Sequence, residues 1–303
     1  MNKIVGIGAC VMDTLISLPH YPSEDTKLKA EGSRPSGGGP VATALVAASK
    51  LGSESAYIGV LSSDNGGKFL IGDFEKYGVR TNLIRTLDGY RSFTSVIWLS
   101  RDTASRTCVF DRGNLPPLVL DKAQKDAICH AEILMVDGNE LSAAIEGAKL
   151  AKAYGTKILY DCGGLYEGID ELLPFADIMI PSEEFALKYT GKSDVVLAAE
   201  ELYTRFHPEI LVITRGKEGG LIYGSEGTLK YPAFVVDAKD TNGSGDVFHG
   251  AFASAYVSGL DTMSCCLFAS ATSAIKCTAI GARESVPTYR EVIDFLKERG
   301  YEL

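Results

Sequence analysis

Six short apolar runs constrain this chain more than any other feature. Residues 3–7, 55–60, 133–137, 157–161, 177–180 and 210–214 are apolar and β-branched rather than alternating. Strands covered on both faces have that composition. Helical patterns lie between them, such as Leu70, Phe74 and Tyr77 at i, i+4 and i+7, and the stretch 141–154. Strand–helix alternation of this kind predicts the α/β class, with a doubly wound, mainly parallel sheet that binds ligands beyond the carboxyl ends of its strands. The 303 residues are read as one such domain, 1–303.

Two segments, 14–36 and 91–112, interrupt the rhythm. The second, "RSFTSVIWLSRDTASRTCVFDR", reads as two strands joined by a polar turn over 102–105. Together they predict a small β-sheet lid at the edge of the main domain, because Phe93, Ile97 and Trp98 need cover. An apolar lid face also predicts a homodimer formed through the lid.

Charge and cysteine usage remove several function classes. With 30 basic and 39 acidic residues the net charge is 30 − 39 = −9, which argues against nucleic acid or an anionic membrane as a partner. Seven cysteines and four histidines are scattered without zinc-ligand spacing. Most of the cysteines sit in apolar runs and read as buried thiols in a reducing compartment. The start "MNKIVGIGAC" reads as a strand rather than a leader, and no apolar run approaches the ~20 residues that span a bilayer. A soluble, cytoplasmic protein is expected.

Chemistry concentrates in "DAKDTNGSGDVFHGAFASAY", residues 237–256. Val235 and Val236 read as the end of a strand, and helical spacing runs through Phe248, Ala251, Phe252 and Ala255. Gly243, Ser244 and Gly245 then fall at a helix N-terminus, where the first N–H groups lack internal partners and the dipole is positive. Without bulky side chains such groups approach a phosphate closely. Asp246 in the same terminus is favoured by the dipole, so it should be ionised and able to take a hydroxyl proton. On composition alone an ordinary acidic helix start is the better explanation of Asp246. No GxxxxGK[ST] loop occurs, and "GIGACV" lacks the third glycine of a dinucleotide fingerprint.

The stretch "DTNGSGDVFHGAF" resembles the C-terminal signature of the ribokinase (PfkB) family of carbohydrate and nucleoside kinases, DTTGAGDxFxGAF. "SGGGPVATALVAASKLG", residues 36–52, is similar to that family's GGxxxNxAxxxAxLG. "VITRGKEGG" (212–220) and "KCTAIGARESVP" (276–287) resemble its TxGxxG turn and its nucleotide- and cation-binding C-terminal segment, so the similarity runs through the whole chain.

The resemblance implies a ribokinase-like fold and an ATP- and Mg²⁺-dependent kinase acting on a small-molecule sugar. It makes Asp246 the catalytic base and the amides of Gly243, Ser244 and Gly245 an anion hole for the transferring phosphoryl group. It puts Thr214, Gly216, Gly219 and Lys276 with the nucleotide. Asp240, Asn242, Gly281 and Ser285 fall where many members bind a monovalent cation such as K⁺. Asp13, Gly38, Gly39 and Thr43 match the sugar-binding positions, and Lys27 and Arg106 are lid cations that would contact the acceptor. Two departures stand out. Thr43 replaces the family's asparagine, and "SEEF" replaces the NxxE motif that organises magnesium, with Ser182 and Phe185 at its ends and Glu183 or Glu184 as substitutes.

"YPSEDTK" (21–27) and "SRTCVFDRGNLP" (105–116) look like the ketohexokinase branch, while "GGGPVATA" and "GDVFHGA" look like the sulfofructose kinases. A ketose or ketose derivative is therefore the expected acceptor. Asn139 stands where a sulfonate-binding arginine would be expected. The alternatives are a nucleoside kinase of the same family and a non-catalytic sugar or nucleotide sensor. His249, three residues past Asp246, is expected to pack behind the anion hole.

Overall fold

The computed structural model describes residues 3–103 and 105–303. Its strands are β1 (Ile4–Ile7), β2 (Val11–Leu18), β3 (Gly32–Gly38), β4 (Ser55–Tyr57), β5 (Gly59–Ser62), β6 (Ile84–Leu87), β7 (Thr94–Ser100), β8 (Arg106–Asp111), β9 (Ile133–Val136), β10 (Lys157–Cys162), β11 (Ile178–Pro181), β12 (Ile210–Thr214), β13 (Gly220–Gly224) and β14 (Gly227–Tyr231). The helices are α1 (Pro40–Lys50), α2 (Asn65–Lys76), α3 (Lys122–Cys129), α4 (Leu141–Tyr154), α5 (Glu183–Thr190), α6 (Val195–Phe206), α7 (Ser244–Val257), α8 (Thr262–Cys277) and α9 (Tyr289–Lys297).

Eight strands form the main sheet in the order β14-β13-β12-β11-β10-β9-β1-β4. From β12 to β4 every neighbouring pair is parallel, and β13 and β14 complete the sheet as antiparallel hairpin strands. β1, β9 and β11 are buried along their whole length, which is why their sequences are apolar without alternation. Helices cover both faces. One core lies beneath α1, α7 and α8, and the other beneath α4 and α6.

A separate four-stranded sheet, β3-β2-β7-β8, is built from the two segments that break the helical rhythm. Of the polar turn expected over 102–105, residue 104 lies outside the described residues. β2 begins at Val11, directly beyond the end of β1, so the lid sheet grows out of the carboxyl edge of the main sheet. Its outer strand β8 is exposed throughout, with Val109, Phe110 and Cys108 uncovered. No helix among the described residues is long and apolar enough to cross a membrane.

Two expectations change. The run 55–60 is not one strand: β4 pairs with β1, and after Ile58 the chain leaves to pair β5 with β6 in a two-stranded sheet. An apolar run carries no mark of where its partner changes. Val235 and Val236 end no strand, since β14 stops at Tyr231, and Val235 is 95% exposed. Pro232, lacking a ladder donor, immediately follows β14.

Candidate active site

The carboxyl ends of β1, β9, β10, β11 and β12 converge with the N-termini of α1 and α7. Asp137, just past β9, fixes this edge: Oδ2 accepts from the amides of Ala9 and Val41 at 2.9 and 3.2 Å, and Oδ1 from Asn139 N at 3.0 Å. One buried carboxylate thereby ties the exit of β1 to the start of α1.

Gly243 caps α7 in the left-handed region (φ 73°), so the chain turns into the helix without a Cβ clash. The amides of Gly243, Gly245 and Asp246 make no hydrogen bond among the described residues. Ser244 differs from expectation, because its N–H closes a turn onto Thr241 O at 3.2 Å. The open donors are therefore those of 243, 245 and 246. Asp246 lies in the first turn and keeps partial exposure. Its carboxyl is raised above the ordinary carboxylate range, first by burial and further by Asp137, with His249, Arg283 and Lys276 pulling it back. The helix dipole alone predicts the opposite direction; desolvation outweighs it here.

His249 secures the helix from behind. Its Nδ1 lies 2.7 Å from Gly245 O and its Nε2 2.9 Å from Ile180 O, which clamps α7 to β11. Asp161 Oδ2 sits 3.3 Å from Nδ1. With both ring nitrogens on carbonyls and the side chain buried, His249 occupies the supporting place expected of it.

On the lid side, Asp13 lies in β2 opposite Ser36 of β3 and Ser95 of β7. Ser95 Oγ donates to Asp13 Oδ1 at 2.6 Å. Burial pushes this carboxyl up to about 6, against the pull of Ser95 and Arg283, while the nearby Asp246 charge adds to the rise. A Cβ at Gly38 would stand 2.0 Å from Asp13 Oδ2, and one at Gly39 (φ 96°) 2.1 Å from Ala9 O. Glycine at 38 leaves room for the Asp13 carboxylate, and glycine at 39 lets the backbone pass against that of Ala9. Thr43 is wholly buried, its Oγ1 accepting from Arg283 Nε at 3.3 Å, so it faces the interior rather than an acceptor. The side chains of Lys27 and Arg106 are exposed and make no hydrogen bond or ion pair among the described residues.

The nucleotide- and metal-side expectations divide. Thr214 and Gly216 sit half-exposed and exposed at the end of β12. Gly219 does not join them: it closes the β12–β13 turn, buried, where an added Cβ would meet Tyr231 O at 2.2 Å. Glu183 is held by Arg215, whose Nε donates to its Oε1 at 3.0 Å, and Ser182 is an N-cap accepting from Phe185 N. The "SEEF" stretch thus starts a helix and makes an ion pair, with no metal cage among the described residues. Lys276, expected against the nucleotide, is fully buried. Its Nζ donates to Asp240 O at 2.8 Å and to Asn242 O. Gly281 N donates to Asp240 Oδ2 at 2.8 Å, and Ser285 Oγ donates to Gly281 O.

Two arginines escaped the sequence reading. Arg283, fully buried, donates to Asp73 Oδ2 at 2.6 Å and to Gly38 O at 2.7 Å, bracing the glycine turn beside Asp13. Arg112, beyond β8, reaches Asn139 Oδ1 at 3.3 Å and lies over the ring of Phe93. Asn139 is therefore met by an arginine from the lid. The segment "GARESVP" was the signal for Arg283, but its target, more than 200 residues away, leaves no local trace.

Comparison with known proteins places this geometry in context. The pattern of the family described as "pfkB family carbohydrate kinase" matches residues 1–289. Ribokinase of Haemophilus influenzae is 28% identical over 300 residues, covering 96% of this chain and 97% of its own. The 5-dehydro-2-deoxygluconokinase of Clostridium botulinum (strain Alaska E43) is 27% identical over 285 residues, covering 86% and 84%. The structure of Arabidopsis thaliana ribokinase complexed with ribose and ATP superposes with a TM-score of 0.87 at 23% identity, over 98% of this chain and 99% of that one.

Proposed function

The chain belongs to the pfkB family of carbohydrate kinases and is an ATP-dependent phosphotransferase; from that premise we propose that its acceptor is a hydroxyl of a ketose or ketose derivative. The observation carrying the phosphoryl-transfer reading is the α7 terminus, where three amides without a partner among the described residues flank the Asp246 carboxyl; the ketose acceptor rests on the resemblance of residues 21–27 and 105–116 to the ketohexokinase branch. Free amides at a positive helix end fit a phosphoryl group. ATP, when bound, supplies the γ-phosphoryl group, with Mg²⁺ offsetting the triphosphate charge.

Within that arrangement Asp13 accepts from acceptor hydroxyls and orients them toward α7. Asp246 takes the proton of the attacking hydroxyl as its oxygen bonds to phosphorus and the bond to the ADP oxygen breaks. The amides of Gly243, Gly245 and Asp246 hold the charge developing on the phosphoryl oxygens. In this reading Thr214 and Gly216, at the open end of β12, line the nucleotide. In the same reading Arg112 and Asn139, which meet at 3.3 Å, read the far end of the acceptor and favour a substituent that accepts hydrogen bonds.

Purified protein assayed for ADP release against fructose, other ketoses, ribose, 5-dehydro-2-deoxygluconate and a set of nucleosides tests this reading. Ketoses are expected to give the highest kcat/KM. Nucleoside turnover above every sugar would replace the sugar reading, and absence of phosphorylated product from the whole panel would leave a binding protein.

The Asp13 role has its own signature. Burial pushes its carboxyl up to about 6, and only the ionised form offers both oxygens purely as acceptors to hydroxyl donors. Acceptor KM is expected to rise as pH falls through about 6, while KM for ATP stays level. Asp13→Asn should raise acceptor KM and abolish that limb. An unchanged acceptor KM in the variant would remove Asp13 from the site.

A further inference from the structure

Three carbonyl oxygens belong to residues that the resemblance assigns to a cation, those of Asp240, Asn242 and Gly281, and each already has a donor. Lys276 Nζ serves the first two and Ser285 Oγ the third. The Asp240 carboxylate is also engaged, accepting from Asn242 N at 2.9 Å and Gly281 N at 2.8 Å. A monovalent cation at these oxygens would meet a fully buried ammonium. The residues present do not fit such an ion.

We infer that the ammonium of Lys276 is a resident cation that takes the place of a bound monovalent ion, so that this kinase works without potassium. The location argues for it. Lys276 stands in the last turn of α8, where unpaired carbonyls favour positive charge. The same helix end grips the loop a second time, since Cys277 O accepts from Lys239 N at 2.7 Å and Asp240 N at 3.2 Å. The loop so held, 239–242, leads directly into Gly243 and the open amides of α7. A buried lysine without a bonded carboxylate is costly unless its charge is used. Here it orders two carbonyls and sends a positive field to Asp246, whose carboxyl it pulls down. Lys276 is a positioning residue: it touches neither donor nor acceptor.

The inference rests on the kinase reading, and its test separates the two. Wild-type chain and Lys276→Met are compared in potassium, sodium and tetramethylammonium chloride at equal ionic strength, by MgADP titration calorimetry and by thermal unfolding. Wild-type affinity and Tm are expected to be the same in potassium as in tetramethylammonium. Lys276→Met is expected to lose about tenfold in MgADP affinity in tetramethylammonium and to regain most of it in potassium. Its Tm should climb with potassium concentration, as for any ligand that binds only the folded state. A wild-type affinity or Tm that rises with potassium overturns the inference, as does a folded Lys276→Met indifferent to potassium. If Lys276→Met folds in no salt, the wild-type comparison decides alone. Absence of MgADP binding in every salt would count against the kinase reading, while the Tm series would still report on the cation place.

Discussion

Asp246→Asn is expected to lower kcat by roughly 10²- to 10⁴-fold, the usual worth of a positioned general base, while the protein folds normally and binds MgADP with near wild-type affinity. The amide has the shape of the carboxyl and leaves the open amides of α7 in place. It cannot take the hydroxyl proton. Stability provides a second, independent reading. Burial raises the Asp246 carboxyl in the folded chain, so between the ordinary carboxylate pKa and the raised one the folded state binds more protons than the unfolded. Stability contributed by this group is then present at acid pH and falls as pH rises through that window, staying low above it. Asp246→Asn removes the loss. Its Tm should match wild type in acid and equal or exceed it at neutral pH. Turnover close to wild type would strip Asp246 of its role as base. A neutral-pH Tm well below wild type would mean that the carboxylate is instead a structural partner.

Arg283→Met is expected to destabilise the fold by about 3–5 kcal/mol, the range for breaking a buried ion pair from one side. Arg283 is fully buried and Asp73, 2.6 Å away, is nearly so. Methionine keeps much of the volume but leaves the Asp73 carboxylate without its counter-ion and the Gly38 carbonyl without its donor. A urea midpoint far below wild type is the measurement. Adding Asp73→Asn should recover part of the loss, because the orphaned charge carries most of the penalty, and the double-mutant cycle reads that coupling directly. The acceptor side should suffer as well, since Arg283 braces the turn that brings Gly38 against Asp13. An unchanged midpoint would show that Asp73 finds another partner.

What could be read without a structure depended on residues close together in the chain. The boundaries of β12 and α4 agree with the apolar runs because strand and helix periods repeat within a few residues. The start of α7 was legible for the same reason: Gly243 adopts the left-handed cap and Asp246 occupies the first turn, both one-turn effects. The glycine pair before α1 and the acid at position 13 were legible only as spacing and resemblance. Why they belong together, a carboxylate oxygen filling the space a Cβ of Gly38 would occupy, is a contact across strands.

Partners far apart in the chain decided the rest. Lys276 bonds a carbonyl 36 residues away and Arg283 a carboxylate 210 residues away; nothing near either residue records those distances. Sequence therefore assigned Lys276 to the nucleotide and overlooked Arg283, while packing turned both inward. The physical reason is common to the two. A long cationic side chain can meet water, a ligand or a buried acceptor with equal ease, and which it meets depends on desolvation set by elements brought together only when the sheet and its helices assemble. The chain by itself determined the α/β alternation and the small-residue turn entering α7; the tertiary structure decided which amides stay open there and which charges stand behind them.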